Sequence, residues 1–218
     1  MNAPLTPSPI EYAETFDRIA DALHGPGYTI LPNALPDNLS LALREHCQSL
    51  HQSEFKIAGI GRDQEHQLNR SIRSDTIHWL ERGQPAVDSY LDWTEQLRQA
   101  VNRRLFLGLF DYESHYAYYP EGAFYKKHYD AFRGQTSRVL TTVLYLNPDW
   151  QPCDGGELLI YDGEGRVLER VRPEFGTLVI FLSEEFPHEV LPVNKPRYSI
   201  AGWYRVNNSL GDAIDPPR

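Results

Sequence analysis

Cysteine is nearly absent. Of 218 residues, only Cys47 and Cys153 carry a thiol. Two isolated thiols make no disulfide framework and no thiolate metal cluster. Their scarcity fits a reducing, cytoplasmic setting. Long apolar runs are missing too: none approaches the ~20 residues a membrane span needs. The N-terminus, Met1-Asn2-Ala3-Pro4-Leu5-Thr6-Pro7, has no basic region followed by an apolar core, so no signal peptide is expected. Positive charge is in deficit, with 21 Lys and Arg against 30 Asp and Glu, a net charge of -9. Bulk electrostatic binding to nucleic acid needs clustered cations, so the charge balance argues against that class of partner. No internal repeat and no nucleophile motif of the Ser-His-Asp kind is present.

What the chain does have is ordinary globular composition tilted toward β-structure. Hydrophobic residues make up 41 %, and thirteen Tyr and nine Phe dominate the aromatics. The length suits one domain, able to bury roughly 70 % of its unfolded surface. Residues 1–10 carry Pro4, Pro7 and Pro9 and read as a disordered arm. Tyr12, Phe16, Ile19, Ala20 and Leu23 recur at helical spacing from Glu11 to His24, where Gly25-Pro26-Gly27 stops the helix. Tyr28 to Leu31 reads as a short strand. A second helix begins at Pro36-Asp37-Asn38 and runs through Leu39, Leu43, Cys47 and Leu50. After Gly83-Gln84-Pro85 a third runs to about Phe106.

Between the second and third helices, Phe55 to Leu80 reads as two strands joined by a polar loop. It is either a plain hairpin or a flap over a site, with the flap at residues 55–75. From Tyr112 onward the pattern becomes short alternating runs separated by turns. Seven strands are expected: Ser114–Tyr119, Ala123–Tyr129, Val139–Leu146, Glu157–Tyr161, Thr177–Phe181, His188–Leu191 and Arg197–Val206. The predicted fold is mainly β with supporting helices, a jelly-roll with the N-terminal helices packed on one face. Residues 11–206 would form the domain, 11–111 being helices plus flap and 112–206 the β core. Residues 207–218 read as a frayed tail.

The chemistry concentrates at Tyr125-Lys126-Lys127-His128-Tyr129-Asp130. On an extended strand, residues i and i+2 face the same way, so His128 and Asp130 would project together. A second imidazole arrives at His188, in Phe186-Pro187-His188-Glu189-Val190. Two His and one carboxylate make the facial set of non-haem Fe(II) oxygenases, with positions left open for co-substrate and oxygen. An isolated His-x-Asp pair is usually a surface feature, and His188 alone could be a satisfied core histidine. Order and spacing favour the metal: His-x-Asp, a long interval, His, then Arg197-x-Ser199. A fixed guanidinium at Arg197 suits a carboxylate held by two parallel hydrogen bonds. Period two places Arg197, Ser199, Ala201 and Trp203 on one face of the last strand. It likewise groups Val139, Thr141, Val143 and Tyr145, where Tyr145 is either a core tyrosine or a phenol reaching a buried carboxylate. Lys126, Lys127, Arg133 and Arg138 flank the site, either as solvated edge charges or as an attraction for a small dianion.

At these residues the sequence resembles the Fe(II)- and 2-oxoglutarate-dependent prolyl hydroxylases of the oxygen-sensing type, particularly their bacterial members. The likeness runs from Ile72 to Val206. It is carried by Arg73-Ser74-Asp75-Thr76-Ile77-His78-Trp79, Tyr119-Pro120, the His128 and His188 segments, Leu144-Tyr145-Leu146-Asn147, Asp149-Trp150, Gly155-Gly156-Glu157-Leu158 and Arg197 to Tyr204. The family usually has Gly in place of Ser74 and Arg in place of Lys127. The resemblance implies a double-stranded β-helix in which His128, Asp130 and His188 hold Fe(II). Arg197 and Tyr145 would bind the distal carboxylate of 2-oxoglutarate, with Tyr119, Ser199 and Leu158 around the co-substrate and Trp203 near the metal and the target proline. Arg73, Asp75, Trp79 and Tyr125 would lie toward the protein substrate.

The implied reaction is O2-dependent hydroxylation of a prolyl residue, at the 4-position, with succinate and CO2 released and ascorbate stimulatory. Elongation factor Tu is the implied target, and a monomer is expected. The competing expectation is a related oxygenase acting on a free amino acid or other small molecule. A metal-free or Zn-filled barrel that only binds partners is the reading from another class.

Overall fold

The computed structural model describes residues 12–58, 71–131 and 137–207. The expected arm at 1–10, the central part of the flap, Arg133 and the tail beyond residue 207 lie outside the described residues. Helix α1 spans Ala13–His24 and buries Phe16, Ile19, Ala20 and Leu23, the stripe its spacing predicts. Pro26 cannot continue the helix, and Gly27 takes φ +85°, where a Cβ would meet the Phe186 ring at 3.0 Å. Strand β1, Tyr28–Leu31, leads to α2, Asp37–Ser49, which buries Leu39, Ser40, Leu43 and Cys47. Strands β2, Lys56–Ile57, and β3, Thr76–Trp79, pair antiparallel across the flap. Helix α3, Pro85–Leu105, starts on a proline, whose missing N–H costs nothing at a first helical turn.

The remaining strands are β4 (Leu109–Tyr119), β5 (Tyr125–His128), β6 (Arg138–Tyr145), β7 (Leu158–Tyr161), β8 (Val167–Val171), β9 (Leu178–Leu182), β10 (His188–Val190) and β11 (Arg197–Val206). All seven expected strands occur, with small shifts at their ends. Strand β8 was not anticipated. It is mostly exposed and carries Glu169 and Arg170 in its middle, so no alternation marks it. Strand β4 begins at Leu109 rather than Ser114. Its first residues include Asp111 and Glu113, charges that Arg205 and Arg138 neutralise across the sheet.

Two antiparallel sheets result. One has seven strands in the order β1-β9-β6-β11-β4-β3-β2, the other four in the order β5-β10-β7-β8. Alternation along each central strand separates two cores. Tyr116, Leu140, Leu144, Leu178, Ile180, Ile200 and Tyr204 face outward and pack under α1, α2 and α3. Trp93 of α3 anchors that layer, edge-on to Phe16 with ring centroids 5.5 Å apart. Ala117, Tyr119, Val143, Tyr145, Val179 and Phe181 face inward, against Leu158, Ile160 and Val190 of the smaller sheet. Each fully buried Leu or Phe in these layers contributes about 1.5–3 kcal/mol. The helices therefore cover one outer face, and the jelly-roll interior between the sheets is left to line a site. Among the described residues, no helix is long and apolar enough to cross a membrane. Cys47 is buried, Cys153 is exposed, and both are free thiols.

Candidate metal centre

His128 and His188 are directly opposed in the β5–β10 ladder. Cross-strand partners on one face bring their side chains together. Their ring centroids are 4.3 Å apart. Strand β5 ends at His128, so Asp130 sits in the bend beyond it rather than on the strand as the sequence suggested. The chain turns inward there, and the three side chains still converge. Their ligand atoms all lie within 4.8 Å of one another. Asp130 Oδ1 is 3.5 Å from His128 Nε2, and Asp130 Oδ2 is 3.5 Å from His188 Nε2.

The hydrogen bonds around the three residues suit a cation. His128 Nδ1 donates to the Lys126 carbonyl at 2.8 Å and His188 Nδ1 to the Phe186 carbonyl at 3.1 Å. Each bond fixes the tautomer that leaves Nε2 with a free lone pair. Burial pushes the His188 imidazole down to about 4, against the opposing pull of Asp130, so the ring is neutral at physiological pH. Burial alone would raise the Asp130 carboxyl. His188, His128 and Arg138 outweigh it and hold the group well below the usual carboxylate range. Asp130 Oδ2 also accepts the Thr141 hydroxyl at 2.8 Å, and Ser183 Oγ lies 2.9 Å behind Thr141 Oγ1. Two imidazoles and one carboxylate on one side of a small space fit a divalent iron with open positions.

The far side of the interior belongs to Arg197, which is buried and has no carboxylate partner among the described residues. Its Nε donates to the Gly156 carbonyl at 3.1 Å and its Nη1 to Ser199 Oγ at 3.3 Å. The guanidinium carbon lies 4.9 Å from the Tyr119 ring centre and 5.0 Å from that of Tyr145. Tyr145 Oη is buried beside Arg197 and has no partner at hydrogen-bonding geometry among the described residues. Burial pushes that phenol up to about 12, with Arg197 opposing, so it stays a donor. A buried, uncompensated guanidinium beside an unsatisfied hydroxyl is costly unless an anion joins them. Leu158 supplies an apolar wall in the same cluster. Tyr119, Tyr145, Leu158, Arg197 and Ser199 thus lie together on this side of the interior.

The residues expected toward the substrate form a second group. Arg73 makes a bidentate pair with buried Asp75, at 2.8 and 2.6 Å, and stacks 4.3 Å over the Tyr125 ring. Tyr125 in turn stacks on His128. Trp79 and Trp203 flank His115, with centroids 5.1 and 5.4 Å from it. Arg138 lies 3.6 Å over the Trp203 ring and is held by Glu113 at 2.8 Å. The basic mouth suggested by sequence is therefore partly cancelled. Lys126 and Lys127 are exposed, while Arg138 is paired internally. Sequence reasoning missed His115 and Glu113, although both continue the inward face of β4 from Tyr119 at period two. It also missed Thr141 and Ser183 as partners of Asp130.

Known proteins place this geometry. The 2OG-Fe(II) oxygenase superfamily matches residues 114–205. A crystal structure of a Pseudomonas putida prolyl-4-hydroxylase superposes with a TM-score of 0.81 at 41 % identity, covering 88 % of this chain and 100 % of that one. A Trichoplax adhaerens prolyl hydroxylase, bound to a peptide fragment of the hypoxia inducible factor oxygen degradation domain, matches with a TM-score of 0.80 at 30 % identity, over 90 % of this chain and 91 % of that one. Egl nine homolog 1 of Homo sapiens is 26 % identical over 196 residues, which span 85 % of this chain but 45 % of the human protein. With its two-histidine, one-carboxylate centre and these relatives, the chain belongs to the 2OG-Fe(II) oxygenase superfamily and, within it, to the prolyl hydroxylases.

Proposed function

We propose that the chain hydroxylates a prolyl residue of a protein substrate at the 4-position, consuming 2-oxoglutarate and O2 and releasing succinate and CO2. The observation that carries this reading is the pairing of the His128-Asp130-His188 cluster with a buried guanidinium, Arg197, that no carboxylate among the described residues neutralises. When bound, Fe(II) supplies the oxygen activation that breaking a C–H bond requires. The side chains bind, orient and keep water out. Arg197 presents a forked donor set to the distal carboxylate of the co-substrate, and the Tyr145 hydroxyl donates to the same group. Ser199 and the Gly156 carbonyl hold the guanidinium at its angle. Tyr119 and Leu158 close the apolar sides. Arg73, Asp75, Trp79, Tyr125 and Trp203 hold the substrate chain, with Arg73 and Asp75 mutually neutralised so that recognition rests on shape and hydrogen bonds.

Residues 11–206 act as one oxygenase unit, a cytoplasmic monomer. Ascorbate stimulates turnover by keeping iron ferrous. The resemblance to bacterial members makes elongation factor Tu the first substrate to test. Purified elongation factor Tu and a cell extract, each incubated with enzyme, Fe(II), ascorbate and 2-oxoglutarate, are searched by mass spectrometry for prolines carrying one added oxygen. An oxidised proline that disappears when the co-substrate is omitted supports the reading. Succinate formation driven by free amino acids, with no oxidised protein, overturns it in favour of small-molecule oxidation.

A further inference from the structure

Asp130 is braced by groups that the metal does not need as ligands. Thr141 Oγ1 donates to Asp130 Oδ2 at 2.8 Å, and Ser183 Oγ lies 2.9 Å from Thr141 Oγ1. A carboxylate only accepts, so the Thr141 proton points to Asp130, and the Ser183 proton then points to Thr141. Thr141 is 1 % exposed and Ser183 0 %, which leaves solvent little access to the chain of bonds. Neither hydroxyl is free to wander. Thr141 is β-branched and fixed in β6, paired with Phe181 of β9. Ser183 follows β9 directly, and its amide donates to the Val139 carbonyl at 2.9 Å. Strand β6 faces the interior at both Thr141 and Tyr145, so one strand presents a hydroxyl to the metal ligand and another toward Arg197.

We propose that Thr141 and Ser183 are positioning residues: a two-hydroxyl relay that commits Asp130 Oδ2 and leaves Oδ1 as the oxygen offered to iron. The inference rests on the metal-centre reading above. Its consequence is stoichiometric. A carboxylate that binds through both oxygens takes one of the coordination positions that co-substrate and O2 require. Hydrogen bonds from donor to donor to carboxylate strengthen one another in a dry interior, so the relay holds better than a single hydroxyl does. Outer-shell partners of this kind change metal affinity by about 10–100-fold when removed.

The test uses the full chain and Mn(II), whose bound and free forms are distinguished by electron paramagnetic resonance. Thr141→Val keeps the shape and removes the hydroxyl. It is expected to weaken Mn(II) binding by about tenfold or more and to change the bound signal, while Thr141→Ser stays within about threefold of the parent. Ser183→Ala shortens the relay without touching Asp130 or Thr141 and is expected to fall between them. It also serves if Thr141→Val does not fold, as judged by circular dichroism. Parent-like Mn(II) affinity and signal in folded Thr141→Val, or in Ser183→Ala, overturn the relay. Failure of the parent itself to bind Mn(II) overturns the metal-centre reading instead.

Discussion

The ring of Tyr125 lies flat on that of His128, with centroids 3.6 Å apart and planes 15° from parallel. Arg73 covers the other face of Tyr125, and Asp75 holds Arg73. A line of contacts thus runs from a buried carboxylate to a metal-ligand candidate. Packing of this kind fixes the angle of the imidazole as much as its hydrogen bond to Lys126 does. Tyr125→Ala is expected to weaken Mn(II) binding about tenfold, with Tyr125→Phe close to the parent. Calorimetric titration with Mn(II) checks this, and equal affinities for the Ala and Phe variants contradict it.

Gly156 sets the depth of Arg197. It takes φ +68°, and a Cβ there would lie 2.6 Å from Val193 Cγ1 and 3.1 Å from Arg197 Cδ. Gly156→Ala therefore strains the backbone and pushes the guanidinium off its line. Arg197→Ala removes the charge-assisted bonds altogether, worth about 1.5–3 kcal/mol, or roughly 10–100-fold in affinity. Both variants are expected to raise the apparent KM for 2-oxoglutarate, with Arg197→Ala the larger effect. Succinate formation measured against co-substrate concentration decides it; an unchanged KM in Arg197→Ala shows that another group holds the co-substrate.

His115 should make the fold acid-sensitive. Burial first, and the Arg73 charge next, push its imidazole down to about 4. The unfolded chain, with an ordinary histidine near 6.5, binds a proton more readily across that interval. Stability from this group is complete above about pH 6.5 and is lost as pH falls toward 4, by about 3 kcal/mol in all. Asp75 partly offsets the shift and Arg138 adds to it. His188 shifts the same way and adds its own loss over the same interval. In urea unfolding, His115→Gln is expected to lose less stability than the parent between pH 6.5 and 4. Identical pH profiles contradict this.

Gly202 gives a control away from the metal. A Cβ on it would collide with Tyr112 Oη and lie 2.9 Å from Ser114 Cβ. Tyr112 Oη is held by Tyr90 and Thr142, each at 2.8 Å. Gly202→Ala should cost about 1–3 kcal/mol of stability in urea unfolding and leave Mn(II) affinity of the folded protein unchanged. Parent-like stability shows that the layer under the helices yields more than its packing suggests.

What was legible in the sequence was whatever depends on local period. The Phe16–Leu23 stripe and the strand faces of β6 and β11 follow from 3.6- and 2-residue repeats. Partnership across the chain was not legible. That β10 lies between β5 and β7, setting His188 opposite His128, depends on a connection that no local pattern encodes. Asp130 left its strand and still met the histidines, because the triad is fixed by where the backbone turns. Strand β8 escaped notice because its side chains are mostly solvated. His115 and Thr141 were visible as members of inward faces, but burial and partner choice made them consequential.

The most direct test is to add Fe(II) and 2-oxoglutarate together without oxygen and record the visible spectrum. Chelation of the metal by the keto acid produces a charge-transfer band. The parent is expected to show it, Arg197→Ala only at higher co-substrate concentration, and Asp130→Ala or His188→Ala not at all. A parent with no band, or a His188→Ala variant with the band at full intensity, contradicts a metal held by His128, Asp130 and His188.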